Sequence, residues 1–411
     1  MEKEFVRLDF YCDSVRDGTH DTPKPTEQGM PLVTSKAIRG GKVFLDECYL
    51  ISQKDFDKIN KRSLVEKWDV LMTMIGTVGR LLLVKDTPHY AIKNIALFKI
   101  GNELKAKWLY YYLLMDSVQN YFEMIANGTS QHFIGLGHMR KLKIPNVTKS
   151  SGKIVEILST YDTLIENNTK RIRLLEKMAE NLYKEWFVRF RFPGHENVEM
   201  ENGLPKGWKI ETLGEWGIEL ETGKRPKGGI DGSMKDGCPS LGAECIKELA
   251  SFDYSSVKMV PKKFYDNLKR GKSSGNNILL YKDGAYIGKV TMFRDSFPYA
   301  EYSINEHVFF LSPKNIKYRN YLYFTLHQKE FFALMQNLNR NAAQPGLSRS
   351  DVERVKVVVP HSKIVELFDI QVERMLKVIF SLAKQNSHLA RQRDLLLPRL
   401  MSGKLEVKVK A

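Results

Sequence analysis

The sequence predicts an α+β protein built twice over: two tandem α+β domains, each followed by a long helix, with the two helices paired as an antiparallel coiled coil. The first observation behind this is a long internal repeat. Gly29-Met30-Pro31 and Ile38 return as Gly237-Cys238-Pro239 and Ile246, an offset of 208 residues, and Trp108 to Gln131 aligns without gaps on Tyr321 to Gln344, an offset of 213. Lys153-Ile154-Val155-Glu156 returns letter for letter as Lys363-Ile364-Val365-Glu366. Repeats of about 20 to 50 residues make solenoids, whereas one this long means two homologous modules. The second observation is a heptad stripe after each globular half. The third is the mixture inside each half, where short alternating runs bounded by turn residues sit beside aromatic helical stretches.

Residues 1–150 form the first domain. Trp68 to Gly76 reads as a strand entering a glycine-bounded turn, Trp108 to Met124 as a helix, and the segment closes on Leu142-Lys143-Ile144-Pro145. Residues 151–192 form the central helix. Its seam is Ile154, Leu158, Tyr161, Ile165, Asn168, Ile172, Leu175, Ala179, Leu182 and Trp186, alternating in steps of four and three. Asn168 is the one strongly polar member, the kind of residue that sets register at some cost in stability. Phe190-Arg191-Phe192-Pro193-Gly194 then breaks the helix. Residues 200–362 replay the first domain, with Asn277 to Gly284, Tyr318 to Leu338 and Lys356 to Pro360 in the same order. Residues 363–403 form the second helix. Its stripe, Ile364, Phe368, Val372, Met375, Ile379, Leu382, Leu389 and Leu396, is less regular and includes Asn386. A helix of about 33 residues spans about 50 Å, enough to act as a spacer.

The charge narrows the partner. The 411 residues carry a net charge of +16. Residues 1–152 hold 22 Lys and Arg against 17 Asp and Glu, and residues 201–362 hold 24 against 18, so most of the excess sits on the two domains. A polyanion such as double-stranded DNA is the natural counterpart. No run approaches the roughly 18 apolar residues of a membrane span, and the N-terminus has no apolar core of a signal peptide. Cys12, Cys48, Cys238 and Cys245 show no paired spacing of the zinc type. The expected setting is a reduced cytoplasm.

Catalytic signatures are missing. There is no Asn/Asp-Pro-Pro-aromatic tetrapeptide of amino-methyltransferases and no Pro-Asp dipeptide with a following acidic-x-Lys group of Mg-dependent nucleases. Gly271-Lys272-Ser273 has Asp266 where a phosphate loop needs glycine, and His195-Glu196 lacks a second histidine at the metalloprotease spacing. His20, His132 and His307 read as surface or turn residues. The expectation is a non-catalytic subunit with no cofactor, no metal and no catalytic residue of its own.

These features in this order resemble the specificity subunit of type I restriction-modification systems, over nearly the whole chain. The resemblance rests on Gly18-Thr19-His20-Asp21-Thr22-Pro23 followed by Gly29-Met30-Pro31-Leu32-Val33, on Thr73-Met74-Ile75-Gly76-Thr77-Val78-Gly79-Arg80, and on Gly128-Thr129-Ser130-Gln131. Further on it rests on Leu182-Tyr183-Lys184-Glu185-Trp186-Phe187-Val188, Leu204-Pro205-Lys206-Gly207-Trp208, and Leu395-Leu396-Leu397-Pro398-Arg399-Leu400-Met401-Ser402-Gly403-Lys404-Leu405. It implies that each domain is a target-recognition domain reading one part of a split DNA sequence, and that the paired helices set the gap. It also implies docking of two methyltransferase (modification) subunits carrying S-adenosylmethionine. Restriction and translocase subunits using ATP and Mg would join them, and the resemblance implies that the cytoplasm is prokaryotic. A modification-only system is an alternative home for the same subunit; a self-contained enzyme and a coiled-coil adaptor that binds only protein are alternatives of other classes.

Residue chemistry nominates the contacts. Arg, Lys, Asn and Gln read base edges, while cations, hydroxyls and backbone amides grip phosphates. Thr77, Gly79 and Arg80 in one half, and Tyr286 and Lys289 in the loop that repeats it, bring backbone and a cation towards phosphate. The polar turns contribute Asn127, Thr129, Ser130 and Gln131, and Asn339, Arg340, Asn341 and Gln344. Thr19, His20, Lys36 and Arg39, and Lys224, Arg225 and Lys227, complete the set. Thr19-His20-Asp21 aligns on Gly223-Lys224-Arg225, so the two loops differ and the DNA site is expected to be asymmetric.

Overall fold

A computed structural model describes residues 4–407, except 127–131, 231, 233, 235, 274, 285 and 339–345. The chain divides into two compact units, Met1–Thr163 with Ala390–Ala411, and Leu164–Leu389. Each unit contains one α+β domain and a segment of both long helices.

The first domain is built on a four-stranded antiparallel sheet in the order Ser14–Asp17, Ile95–Lys99, Val70–Thr73, Leu81–Leu83. The last three strands read as largely apolar runs because both faces are covered, whereas Ser14–Asp17 at the edge alternates. Successive side chains point to opposite faces: Val70, Met72, Leu81, Leu83 and Phe98 join one core cluster, and Leu71, Leu82, Ile95 and Leu97 another. A three-stranded sheet, Leu50–Ile51, Met30–Val33 and Ala91–Ile92, has Leu32 and Val33 paired in parallel with Ala91 and Ile92. Phe5–Arg7 and Lys143–Pro145 pair at the domain's ends.

The second domain repeats these three sheets in the same strand order. Its four-stranded sheet runs Ile218–Thr222, Val308–Pro313, Asn276–Tyr281, Val290–Arg294, and its three-stranded sheet runs Lys258–Val260, Cys238–Leu241, Ser303–Ile304. Lys209–Thr212 pairs with Lys356–Val359. Side-chain detail repeats too. Trp108 Nε1 donates to the Pro145 carbonyl at 2.8 Å, and the aligned Tyr321 hydroxyl donates to the Val358 carbonyl at 2.5 Å. A Cβ on Gly18 would meet the Ile92 carbonyl oxygen at 2.2 Å, and one on Gly223 would meet the Ile304 oxygen at 1.6 Å. Only glycine allows that approach of two backbones.

The helix read over Trp108–Met124 is two helices, Glu103–Leu113 and Asp116–Ile125, and its repeat is likewise Arg319–Leu326 and Lys329–Leu338. Met115 turns extended at the break, and Gln119 Nε2 takes the Leu113 carbonyl at 2.6 Å, so the freed acceptor is satisfied and the chain can turn.

The central helix is Ser151–Tyr183, continued by a π-turn over Lys184–Val188, and the C-terminal helix is Ser362–Ser402. They run antiparallel. In the second unit Asn386 Nδ2 donates to Thr169 Oγ1 at 3.4 Å, while Tyr183 packs on Phe368, their centroids 6.3 Å apart. In the first unit Ile154 and Leu158 share a core with Leu397 and Leu400, and Arg393 bonds Asp162 at 2.6 Å. On the central helix Ile154, Leu158, Asn168 and Ile172 are buried, and Tyr161, Ile165, Leu175 and Leu182 are half-buried. The C-terminal stripe departs from its reading. Leu382 is buried, but Met375 and Leu389 are only half-buried, and Leu376 is fully buried beside Met375. The helix packs against its domain as well as its partner, which widens the apolar face beyond a two-helix seam.

Candidate nucleic-acid interface

The loops that follow the first strand of each four-stranded sheet carry the closest match between halves. Since Gly18 and Gly223 occupy equivalent close approaches, Thr19 stands opposite Lys224 and His20 opposite Arg225. This shifts the sequence alignment of those loops by one residue. The partners correspond as well. His20 Nδ1 lies 2.8 Å from Asn94 Oδ1, and Arg225 Nε lies 3.2 Å from Glu306 Oε1, Asn94 and Glu306 being the second residues after Ile92 and Ile304. His20 Nε2 also meets Asp17 at 2.9 Å, and the Thr19 hydroxyl accepts from the Asp21 amide. One half thus presents an imidazole beside an amide, the other a guanidinium beside a carboxylate.

In the second unit Arg225, Ile230, Ser240, Glu244, Lys258 and Asn305 line a cleft of about 230 Å³. The hydroxyl of Ser240 and Oε2 of Glu306 are buried without a hydrogen-bond partner among the described residues. Lys224 and Lys227 are exposed beside it. In the first unit a cleft of about 370 Å³ is lined by Gly40, Gly41, Gly79, Arg80, Gln119 and Arg393, among others.

The structure brings Lys36, Arg39 and Arg80 into one neighbourhood. Arg80 Nη1 donates to the Ile38 carbonyl at 3.2 Å and Arg39 Nη1 to the Lys36 carbonyl at 3.1 Å. Arg39 is also held by both carboxylate oxygens of Glu47 and lies over the Phe44 ring, so its fork is engaged within its own domain. Thr77 is exposed at its turn, and its carbonyl accepts from the Thr73 hydroxyl at 2.5 Å. Gly79 is buried against Gln119 and serves the turn's shape. Tyr286 is 63% exposed, whereas Lys289 bonds Glu248 at 3.2 Å. Asn127, Thr129, Ser130, Gln131, Asn339, Arg340, Asn341 and Gln344 lie outside the described residues.

Sequence reading missed a second repeated pair of cations. Lys61-Arg62 ends the helix Gln53–Ser63, and Lys269-Arg270 follows the equivalent helix Lys262–Asn267 at an offset of 208. All four side chains are exposed, and Arg62 additionally bonds Asp17 at 2.6 Å, on the same carboxylate that meets His20. Extending the repeat from Ile38 and Ile246 into the following helix reveals them.

Each domain is tied to helix by charge taken out of water. In the first unit Tyr111 donates to Asp162 at 2.5 Å, and burial, then that carboxylate, pushes the phenol far up, so it remains a donor. In the second, Arg294, 3% exposed, reaches Glu373 with two bonds of 2.8 and 2.6 Å. The Arg294 bonds hold the Glu373 carboxyl down at about 2 against the opposing effect of burial. No helix among the described residues is long and apolar enough to cross a membrane.

Known proteins agree with this duplicated plan. The chain is similar to the specificity subunit of the type I restriction enzyme MjaIX of Methanocaldococcus jannaschii, 26% identical over 83% of this chain and 78% of that one. It is similar to the HindI specificity subunit of Haemophilus influenzae, 22% identical over 87% and 91%. Its fold matches the crystal structure of a type I restriction-modification system S subunit from M. genitalium with a TM-score of 0.52, at 18% identity over 97% and 96% of the two chains. A model of the type I restriction modification DNA specificity domain matches twice, at residues 18–177 and 205–390. With one match on each α+β domain and its following helix, the chain belongs to the type I restriction-modification specificity family.

Proposed function

We propose that this chain is the non-catalytic DNA-reading subunit of a type I restriction-modification complex, each α+β domain reading one part of a bipartite, asymmetric DNA site. The observation that carries the reading is the paired loop chemistry. Equivalent positions hold His20 with Asn94 in one domain and Arg225 with Glu306 in the other, while the surrounding backbone is the same. A guanidinium fork suits the two acceptors on the major-groove edge of guanine, and an amide suits the acceptor and donor of adenine. Exposed Lys36, Lys61, Arg62, Lys224, Lys227, Lys269 and Arg270 supply phosphate contacts that position the domains without reading sequence.

The paired helices set the spacing between the parts read and dock the methyltransferase subunits. Leu174 and Met178 on the central helix, and Leu367 and Ile370 on the C-terminal helix, are 45 to 63% exposed, which fits a protein-binding face. S-adenosylmethionine, ATP and Mg belong to the partner subunits. The restriction and translocase subunits join through that core, in a prokaryotic cytoplasm.

DNA binding by the chain assembled with its methyltransferase partner tests this. Affinity should fall steeply with salt, and replacing Lys61 and Lys269 by alanine should weaken all sequences alike and flatten the slope of log K against log salt by about two. Arg225→Ala should relax the preference for one half-site only, by about 1–3 kcal/mol. Salt-insensitive binding, or retention of protein partners but no DNA, would favour the adaptor reading.

A further inference from the structure

Where the central helix meets the second domain, two carboxylates and an imidazole converge. Glu176 and Glu180 are one turn apart and share a helix face, and His327 stands at the C-terminal end of the helix Arg319–Leu326. Their ligand atoms all lie within 4.8 Å of one another, with His327 Nε2 3.2 Å from Glu180 and 3.9 Å from Glu176. All three side chains are partly buried.

A second observation points to a ligand here. Tyr323 stacks on His327 with centroids 5.3 Å apart, is fully buried, and its hydroxyl has no hydrogen-bond partner among the described residues. Burial, and then the nearby carboxylates of Glu176, Glu180 and Glu248, push that phenol well up. A buried hydroxyl without a partner is costly. The cations that act on the two carboxylates besides His327 are Arg173, Lys177 and Lys184 of their own helix. From the facing domain, Lys289 is held by Glu248.

We propose that Glu176, Glu180 and His327 bind one divalent transition-metal ion of the zinc class, with the Tyr323 hydroxyl bonding a coordinating oxygen. Zinc takes imidazole nitrogen and carboxylate oxygen at about 2.0–2.2 Å, which sets neighbouring ligand atoms roughly 3.4 Å apart in a tetrahedron. The observed separations need only small side-chain adjustments to reach that. The ion would lock the second domain onto the central helix. Among the described residues the first unit has no such cluster: Leu114 occupies the position aligned with His327, and its domain is held instead through Tyr111, Asp162 and Arg393. One ion per chain follows, independent of any DNA contact.

The test is titration of chelator-treated full-length chain with ZnCl2 by calorimetry, and with CoCl2 by visible absorption. The expected result is one saturable equivalent per chain, a cobalt d–d band, and a higher melting temperature with zinc. His327→Ala and, as a conservative second variant, Glu180→Gln should each weaken binding at least tenfold while keeping the wild-type circular dichroism spectrum. No saturable binding by the wild-type chain would overturn the proposal. Equal binding and an equal cobalt band in the folded variants would overturn it too.

Discussion

Arg294 sits in the strand Val290–Arg294 and meets Glu373 of the C-terminal helix, with Asn320 bonding Glu373 and Asp369 from a third element. Removing one member of such a buried pair leaves the other charge uncompensated, which costs about 3–5 kcal/mol. Glu373→Gln should therefore lower the unfolding free energy by about that amount in urea titrations. Because the folded carboxyl is held at about 2, below its ordinary 4.5, its contribution is full above about pH 4.5 and is lost as pH falls through 2. Wild-type stability should drop more steeply than that of the variant across that acid window. Gly18 and Gly223 make a second residue-scale prediction. Each faces a carbonyl oxygen at a distance no Cβ tolerates, so alanine at either should cost about 1–3 kcal/mol. Gly137, with open space around it in the helix Leu136–Lys141, should accept alanine without loss. Thermal melts of the three variants compare them directly.

The long helices and the repeat were legible in the sequence because both are periodic signals, and periodicity survives divergence of individual residues. The central seam runs from Ile154 to Trp186, and the structure covers each position at least half. The C-terminal helix was harder because Leu376, Phe380 and Ala383 turn a second flank into the core beside Val372 and Ile379. A stripe that wide has no single heptad phase. Leu376→Ala should accordingly cost about 2–5 kcal/mol, and Met375→Ala clearly less, as measured by denaturant midpoints. Equal losses would restore the simple seam. The breaks at Met115 and between Leu326 and Lys329 were not legible, since no proline or glycine marks them and a nearby glutamine side chain, Gln119 or Gln328, bonds a carbonyl of the preceding helix.

For the molecule as a whole, net charge and its placement on the two domains pointed to a polyanion, but the detailed interface depends on pairs far apart in sequence. His20 and Asn94 are separated by 74 residues, so nothing local links them. Lys61-Arg62 and Lys269-Arg270 were readable only by carrying the repeat further along the chain. Both domains share one backbone plan and differ in the loops it presents, which under the proposed function would let one fold read two unlike sequences. Placing Arg and Glu at positions 20 and 94 should change one part of the DNA site and leave the other unaltered. The most direct measurement is methylated-base sequencing of DNA from cells expressing this chain with the proposed methyltransferase partner, beside cells lacking this chain. One split motif with unlike halves, methylated only when both proteins are present and altered in one half by the substitutions at 20 and 94, is the result the account predicts. A palindromic motif, or methylation that does not depend on this chain, would contradict it.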